Sequence, residues 1–227
     1  RVEDTMERIL SRGGNNMPEA VALSTMLIVS IHSPLSGSLT MTRKVPQKNT
    51  HFAKICRVNE LSRRFVAGQF GIEEAYRQLG EIYNEPSYSS LLTIFSYGIA
   101  SAAFTVLFWG GMVDGMVAFC TGILLGIFMR VLSSIKTPYF LNSLIGGIFA
   151  GISALFFYHI GWSGDYKIVI VSSIMPLLPG VTITNAIRDI LEGNFLSGTS
   201  KVMEAALIGM AVAGGVGVSL SIFAAFA

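Results

Sequence analysis

Five long apolar stretches fill the second part of the chain, and they constrain its fold more than any other feature. They run over residues 91–110, 111–132, 139–160, 167–186 and 202–226. Each is close to the roughly 20 residues that an α-helix needs to cross the hydrocarbon core of a bilayer. Only 13% of the 227 residues are charged, about half the usual share for a soluble domain. The sequence therefore predicts a mainly α-helical membrane protein with five transmembrane helices.

The first 90 residues differ in composition and predict a separate water-soluble domain. They hold eleven of the 16 Lys and Arg residues and nine of the 14 Asp and Glu residues, a net charge of +2. This charge is too small and too dispersed for a nucleic-acid-binding surface, which needs a concentrated basic patch. We expect a small cytoplasmic α+β domain over residues 1–90, followed by the transmembrane domain over 91–227.

Turn and alternation signals in the soluble part predict a β-hairpin. Val21–Ile31 is rich in β-branched and apolar residues and reads as one strand, and Pro34–Gly37 has turn composition. From Leu39 to Val45 apolar side chains alternate with polar ones, which is the period of a half-buried strand. Three further segments have helical periodicity and predict amphipathic helices: residues 1–10, 52–65 and 72–83.

The ends and the cysteines add little. The chain opens on Arg1, inside a helical pattern, and this opening lacks the charged and apolar regions of a signal peptide. We therefore expect the natural protein to begin further upstream. Cys56 lies in the polar part and Cys120 in an apolar stretch, so the sequence predicts no disulfide, metal site or cofactor.

The basic residues predict an orientation in the membrane. With residues 1–90 in the cytoplasm, the loop 130–136 and the segment 188–201 also lie on the cytoplasmic side. Only Lys167 then faces outward, against fifteen basic residues inside, as the positive-inside rule requires. We expect the N-terminus inside and the C-terminus outside.

Small residues recur four apart in the apolar stretches, as in Gly122 with Gly126 and Gly147 with Gly151. This spacing lets helix backbones approach closely. The fifth stretch is also rich in glycine: Gly209, Gly214, Gly215 and Gly217. The helices are therefore expected to pack on each other or on a partner.

The fourth stretch contains two prolines and a glycine within five residues, Pro176, Pro179 and Gly180. Each proline removes a backbone donor and crowds the preceding turn, so we expect the helix to unwind. Beyond the break, Thr182 or Thr184 can cap a renewed helix, whose free N–H groups would attract a carboxylate. Discontinuous helices of this kind form substrate sites in secondary transporters. The alternative is a proline kink packed against a neighbouring helix.

These considerations select the candidate site residues. The predicted substrate-binding residues are Pro179, Gly180, Val181, Thr182, Thr184 and Asn185. Candidates for coupling or gating are Asp114, Arg188 and Asp189, because an ionisable group near a membrane span is a functional hypothesis by default. Alternatively Asp114 lies at the outer interface, where its charge costs little, and the other two form an ion pair at the inner interface. Hydroxyl side chains from Ser96 to Ser101 either line a polar path or bond neighbouring helices.

Several of these segments together resemble a known family. They are residues 1–9, Gly110-Gly111 with Asp114-Gly115, and above all residues 175–194 with Gly198. They resemble the N-terminal half of the threonine/serine exporter (ThrE) family, whose free-standing version is the YjjP-type inner membrane protein. The resemblance covers essentially the whole chain. It implies a secondary exporter of small polar metabolites, either threonine and serine or dicarboxylates such as succinate.

The resemblance also implies a partner. Full-length members fuse two halves, whereas this chain ends after its fifth stretch, so a separate YjjB-type C-terminal-half subunit is expected in the bacterial inner membrane. The resemblance therefore implies that this chain works in a hetero- or homo-oligomer.

Sequence motifs typical of ATP-driven transporters and of hydrolytic enzymes are absent from the sequence. Without a Gly-x-x-x-x-Gly-Lys-Ser/Thr phosphate loop, energy would come from an ion gradient, and without His-Glu-x-x-His or Gly-x-Ser-x-Gly an enzyme is not indicated. The alternative function is a membrane-anchored sensor or scaffold with a ligand-binding cytoplasmic domain, which would not need a broken helix.

Overall fold

The computed structural model describes residues 2–12, 18–23, 25–33, 37–45, 51–86, 88–135 and 137–226. The chain divides into two compact units, Arg1–Ser87 and Tyr88–Ala227, and each is considered by itself. Most of the turn predicted at Pro34–Gly37 lies outside the described residues, as does Lys136 of the predicted cytoplasmic loop.

The first unit begins with helix α1 (Val2–Ser11) and an antiparallel sheet of three strands, β1 (Pro18–Ala22), β2 (Met26–Ser33) and β3 (Gly37–Lys44), in that order. The predicted hairpin corresponds to β2 and β3. The prediction of one continuous strand over Val21–Ile31 is wrong, because the chain turns back within it. The amide of Leu23 donates to the Met26 carbonyl at 2.9 Å, which closes this turn between β1 and β2.

Strand β3 is less buried than its alternation predicted. Leu39 pairs with Ile31 and Met41 with Val29, so their apolar side chains lie on one face of the sheet. Every residue of β3 is nevertheless exposed, with Leu39 at 61% and Met41 at 53%. The prediction of a strand is therefore confirmed, but the prediction that it is half-buried is wrong.

Two amphipathic helices complete the first unit, α2 (Phe52–Val66) and α3 (Ile72–Asn84), as predicted. Helix α2 ends at Val66, and Gly68 follows with a φ of +80°, which suits glycine; its amide donates to the Phe65 carbonyl at 3.0 Å and closes the helix C-terminus. On α3, hydrogen bonds from the Arg77 guanidinium and the Gln78 side chain lower the pKa of Glu74 to about 2. This surface carboxylate therefore stays ionised at any physiological pH.

The second unit is helical throughout its described residues. Its helices are α4 (Ser90–Leu107), α5 (Met112–Ser133), α6 (Tyr139–His159), α7 (Tyr166–Ile174), a 3₁₀ turn (Met175–Leu177), α8 (Gly180–Leu191) and α9 (Phe195–Phe226). Four of them, α4, α5, α6 and α9, are long and apolar enough to cross a membrane, and the bent pair of α7 with α8 brings the possible crossings to five. Helix α9 begins seven residues earlier than predicted.

Glycines determine how α4 packs on α5. A Cβ added to Gly122 would lie 2.7 Å from the Tyr97 carbonyl oxygen, and one on Gly126 would lie 3.1 Å from the Cα of Ile94. The contacted residue numbers decrease along α4, from Tyr97 to Ile94, as they increase along α5, from Gly122 to Gly126. The two helices are therefore antiparallel. The predicted packing role of this pair of glycines is confirmed.

Helices α6 and α9 pack equally closely but run in the same direction. Gly147 lies against the backbone of Val212, and Gly151 lies against Ser219. Since the chain runs the same way in both helices, it must return between them. The bent pair of α7 and α8 is the segment that makes this return, which favours counting it as one crossing of the membrane.

The close contact of α6 with α9 yields a test within one helix. A Cβ on Gly215 would lie 2.9 Å from the Ile148 amide nitrogen and closer still to the Leu144 carbonyl oxygen, whereas one on Gly217 would meet no atom within 4 Å. We expect Gly215→Ala to lower the free energy of unfolding by about 1–3 kcal/mol through overpacking. Gly217→Ala should leave it unchanged or raise it by up to about 1 kcal/mol. Thermal melts of the purified variants in detergent measure both, and equal melting temperatures would contradict the packing.

Candidate functional site

The predicted break in the fourth apolar stretch is confirmed. Helix α7 ends at Ile174, a 3₁₀ turn follows over Met175–Leu177, and α8 begins at Gly180 with its axis bent by 60° from the preceding segment. Two local bonds hold the turn: the Leu178 amide donates to the Met175 carbonyl at 3.1 Å and the Gly180 amide donates to the Leu178 carbonyl at 2.9 Å. The sequence dictates this path, because neither proline can donate a helical hydrogen bond.

The break lies well inside the apolar part of the unit. Nine α-helical residues and three 3₁₀ residues span about 20 Å, which is about two-thirds of a 30 Å hydrocarbon core. Leu177 is buried and belongs to an apolar cluster with Leu125, Ala150 and Val212. Pro179 is also buried, whereas Gly180 is exposed. One side of the break is therefore packed and the other is open.

The N-terminus of α8 presents backbone donors to the open side. The first four amides of a helix have no partner within it. The Gly180 amide is already bonded to Leu178, and the Ile183 amide donates to the Pro179 carbonyl at 3.0 Å. The amides of Val181 and Thr182 remain for a ligand. A Cβ on Gly180 would meet no atom within 4 Å, so there is free space beside these amides.

The prediction that a threonine caps α8 is wrong. Pro179 occupies the N-cap position, and no side chain accepts a capping hydrogen bond there. The hydroxyl of Thr184 instead donates back to the carbonyls of Gly180 and Val181, at 3.0 Å each. Since Pro179 already fixes the start of the helix, the hydroxyl turns to the nearest carbonyls of its own helix.

The remaining predicted residues divide between two faces of α8. Thr184, Asn185 and Arg188 are exposed, while Thr182 and Asp189 are half-buried, and Ala186 between them is buried. Helix α8 packs on α9 through Gly198, where a Cβ would lie 3.1 Å from the Ala186 carbonyl oxygen. Asn185 follows Val181 by one helical turn, so both lie on the exposed face.

A groove of about 440 Å³ reaches the break from the side of α4. Pro176 forms part of its wall, and the rest comes from Tyr88, Leu92, Thr93, Ser96, Tyr97 and Ala100. Ser96 and Tyr97 line this groove, but its surface is mostly apolar and the Ser96 hydroxyl donates to the Leu92 carbonyl at 2.8 Å. The polar path therefore stays a prediction. Ser101 instead is fully buried and donates to the Tyr97 carbonyl at 2.9 Å.

Asp114 lies at the start of α5 and is 8% exposed. One carboxylate oxygen accepts from the Ser163 hydroxyl at 2.9 Å and from the amides of Gly164 (2.9 Å) and Asp165 (3.3 Å). The other accepts from the Gly111 amide at 3.3 Å. The carboxylate therefore ties the loop before α7 to the N-terminus of α5, and this saturated set of donors favours a structural role over proton transfer.

Arg188 and Asp189 do not pair with each other. Asp189 is half-buried and accepts from the Lys201 ammonium and from the Ser197 hydroxyl, the latter at 2.8 Å. The Arg188 guanidinium lies 3.8 Å from Glu192 on the solvent side of α8, where both side chains are about half exposed. The expected ion pair between neighbours is thus replaced by a contact of α8 with α9, made through Asp189.

The sequence interpretation missed three buried hydroxyl residues near the break, Thr121, Ser172 and Ser173. Ser172 and Ser173 directly precede the segment with two prolines, so hydroxyl residues beside a predicted helix break were the available signal. Their burial depends on how α5 and α7 pack, which spacing within one helix does not show.

The Asp114 contacts yield a second test. Asp114→Ala leaves the buried Ser163 hydroxyl and the loop amides without their acceptor, so we expect the free energy of unfolding to fall by about 1–3 kcal/mol. Asp165→Asn is the control, since Asp165 caps α7 by accepting from the Lys167 amide at 2.9 Å and asparagine caps as well as aspartate. Thermal unfolding in detergent compares the two variants. A larger loss in Asp165→Asn would contradict the structural role of Asp114.

Several long apolar helices, one of them built from a bent pair, define a multi-pass membrane protein. The chain belongs to the ThrE family, described as "Putative threonine/serine exporter", which it matches over residues 1–223. The resemblance recognised in the sequence is confirmed. The family's description names an exporter, which is consistent with the prediction of a transporter.

Individual relatives agree with the family assignment. The chain is 26% identical over 183 residues to a threonine/serine exporter of Corynebacterium glutamicum, covering 78% of this chain and 37% of the relative. It is 20% identical over 201 residues to a "Probable threonine/serine exporter" of Mycobacterium tuberculosis, covering 88% and 38%. An uncharacterized protein of Schizosaccharomyces pombe is 27% identical over 176 residues, covering 73% and 23%. The chain thus spans less than two-fifths of the length of these relatives. No solved structure matches it.

Proposed function

We propose that this chain is one half of a secondary exporter of small polar metabolites, working with a separate C-terminal-half subunit. Membership of the exporter family supports the transport role. The chain aligns with 37% and 38% of the length of two longer exporters. The substrates are amino acids of the threonine and serine type or dicarboxylates such as succinate, which share a carboxylate.

The observation that carries the proposed substrate site is the open N-terminus of α8. A carboxylate accepts hydrogen bonds from the Val181 and Thr182 amides, and the positive end of the helix dipole favours its charge. Gly180 lets the ligand approach, since no side chain stands in front of these amides. Asn185, one turn along the same face, offers a further hydrogen bond. Pro179 fixes the start of the helix, and Thr184 completes the rim of the site.

Coupling and gating are assigned to the charged residues around α8 and at the loop. Asp189 joins α8 to α9 through Lys201, so a movement of α8 during export has to break or carry this ion pair. Arg188 lies free of that contact and close to the cytoplasmic interface in the proposed orientation. Asp114 holds the opposite end of the broken span by fixing the loop before α7. An ion gradient supplies the energy.

The proposed location is the bacterial inner membrane, with the N-terminus in the cytoplasm and the C-terminus outside. The distribution of basic residues supports this orientation. An odd number of crossings is consistent with it, since α6 and α9 run in the same direction and the bent pair returns the chain between them. The partner is the YjjB-type subunit, in a hetero- or homo-oligomer surrounded by lipid.

Efflux from vesicles tests the substrate site. Gly180→Leu places a bulky side chain beside the free amides, and we expect it to reduce efflux of labelled serine, threonine or succinate by at least about tenfold, equivalent to 1.4 kcal/mol of lost binding. Gly209→Leu is the matched control, because Gly209 also has no atom within 4 Å of a Cβ and lies on α9. Unchanged efflux by Gly180→Leu, with both variants inserted at the wild-type level, would exclude the site.

Reconstitution with and without the C-terminal-half subunit tests the partner. We expect efflux only when both chains are present, because in the proposed arrangement each chain contributes one half of the transporter. Vesicles with either subunit alone are the controls. Full efflux by this chain alone would show that it is complete as a transporter.

A second candidate function rests on a cavity in the first unit. Residues on and beside helices α1, α2 and α3 line an open cleft of about 590 Å³. The lining is mostly apolar: Ile9, Leu10, Arg12, Val58, Leu61, Ser62, Phe65, Ile72, Ala75, Tyr76 and Leu79. Such a pocket suits a ligand-binding cytoplasmic domain of a sensor or scaffold. Ala75→Phe fills the pocket, and it should leave efflux unchanged if transport is the function. Binding of a ligand in the wild-type pocket, without any efflux by the protein, would favour the sensor.

A further inference from the structure

Three hydroxyl groups buried in the helical unit have no hydrogen-bond partner among the described residues. They belong to Thr121 on α5 and to Ser172 and Ser173 on α7, and all three residues are fully buried. Leaving a buried hydroxyl unpaired costs free energy, so such groups call for a specific explanation.

Other buried hydroxyls of the same unit behave differently. Ser163 donates to the Asp114 carboxylate at 2.9 Å and Ser219 donates to the Val216 carbonyl at 2.7 Å. The others donate to the carbonyl four residues earlier in their own helix: Ser101 to Tyr97, Thr105 to Ser101, Ser143 to Tyr139 and Ser153 to Phe149, at 2.8–3.0 Å. Serine and threonine in membrane helices commonly satisfy themselves in this way. Thr121, Ser172 and Ser173 forgo this bond although they too lie within helices.

Packing brings the three residues to the same level of the unit. Val117 and Ala118 of α5 belong to one cluster with Val169 and Ile170 of α7. One turn or two further along, Leu125 of α5 and Leu177 belong to the next cluster. Thr121 lies midway between these levels on α5, as Ser172 and Ser173 do on α7.

Two further oxygens lie close to this level. Ser101 of α4 borders it, since a Cβ on Gly122 would lie 2.5 Å from the Ser101 hydroxyl oxygen. The Ser172 carbonyl lacks the usual donor four residues on, because residue 176 is proline. This carbonyl also lies near the C-terminal end of α7, where the helix dipole is negative.

We propose that Thr121, Ser172 and Ser173 form a site for a small monovalent cation bound through neutral oxygens. Hydroxyl and carbonyl oxygens replace the hydration shell of such an ion, and the C-terminal ends of broken helices coordinate cations in transporters. The buried carboxylate of Asp114 lies two helical turns from Thr121, about 10 Å, and its bonds hold it to the loop. Among the described residues, the oxygens assigned to this site are all neutral, so we expect weak affinity.

The proposed cation site goes beyond the proposed export function, and it does not depend on which solute is exported. Sodium is the probe. The ammonium group of an amino acid has the same chemistry and is distinguished by a separate measurement.

The experiment is a thermal melt of the purified chain in detergent, in NaCl against choline chloride at equal ionic strength. A ligand that binds only the folded state raises the melting temperature as its concentration rises. We expect NaCl to raise it in the wild type. Thr121→Val and Ser173→Ala should raise the apparent Kd for sodium by at least about tenfold, which corresponds to 1.4 kcal/mol.

Without sodium, we expect Thr121→Val and Ser173→Ala not to lower the melting temperature. Each removes an unpaired hydroxyl, so in choline chloride they should melt at or above the wild-type temperature. Thr121→Ser keeps the hydroxyl and should keep the sodium response. Ser153→Ala is the matched control, since its hydroxyl is bonded to Phe149, and it should melt lower in both salts while responding to sodium like the wild type.

Two results would overturn the proposal. One is a wild-type melting temperature that depends on ionic strength alone, and the other is a sodium response that survives in both Thr121→Val and Ser173→Ala. If serine shifts the melting temperature in choline chloride while N-acetylserine does not, and Ser173→Ala abolishes the shift, the bound cation is the ammonium group. These melts require no transport, so their failure is separable from a failure of the efflux experiment.

Discussion

The helical unit depends on a constraint imposed by lipid: a backbone that leaves helical geometry inside hydrocarbon must find hydrogen-bond partners within the protein. Pro176 and Pro179 create that situation in the fourth span. The structure answers it with a single 3₁₀ turn, in which the Leu178 and Gly180 amides bond to carbonyls two or three residues earlier. Leu177 covers the turn from the side of Leu125 and Val212. These bonds leave the Val181 and Thr182 amides at the start of α8, beside the exposed Gly180.

Two glycine-lined seams supply the frame around this turn. In a bilayer the hydrophobic effect does not hold helices together, so close packing of their backbones has to. Gly122 and Gly126 provide it between α4 and α5, and Gly147 and Gly151 provide it between α6 and α9. Helix α7 packs against residues from both seams, since the cluster around Val169 and Ile170 includes side chains of α5, α6 and α9. The broken span is therefore held on its α7 side by two rigid pairs.

The features that followed from the sequence are those with a strong local cause. Apolar length predicted the long spans, and the missing N–H groups of Pro176 and Pro179 predicted the break. The turn between β1 and β2 was missed because Val21–Ile31 is largely apolar and contains no Gly, Pro, Asn or Asp. Ser24 and Thr25, the polar residues between the two strands, are a weaker turn signal. The early start of α9 was missed because residues 195–201 are largely polar. Gly193, with a φ of +86°, ends α8 and allows the next helix to begin at once.

Other parts of the site depend on packing between helices, which no single-helix pattern contains. The burial of Ser172 and Ser173 follows from the level at which α7 meets α5. The partner of Asp189 is Lys201, twelve residues later and on another helix. Thr182 and Thr184 were correct residue types for a helix cap, but Pro179 had already taken that position.

Helix α9 is longer than one membrane crossing requires. Its 32 continuous residues measure about 48 Å, well beyond a hydrocarbon thickness of about 30 Å. Lys201 lies near one end of this rod, and the seam with α6 grips it farther along, around Val212. About 18 Å of this rod is in excess of the hydrocarbon thickness, so α9 either tilts within a bilayer or extends beyond it. Because α8 is attached to the rod at Lys201 and α6 packs on it around Val212, α9 ties the second half of the broken span to the seam with α6.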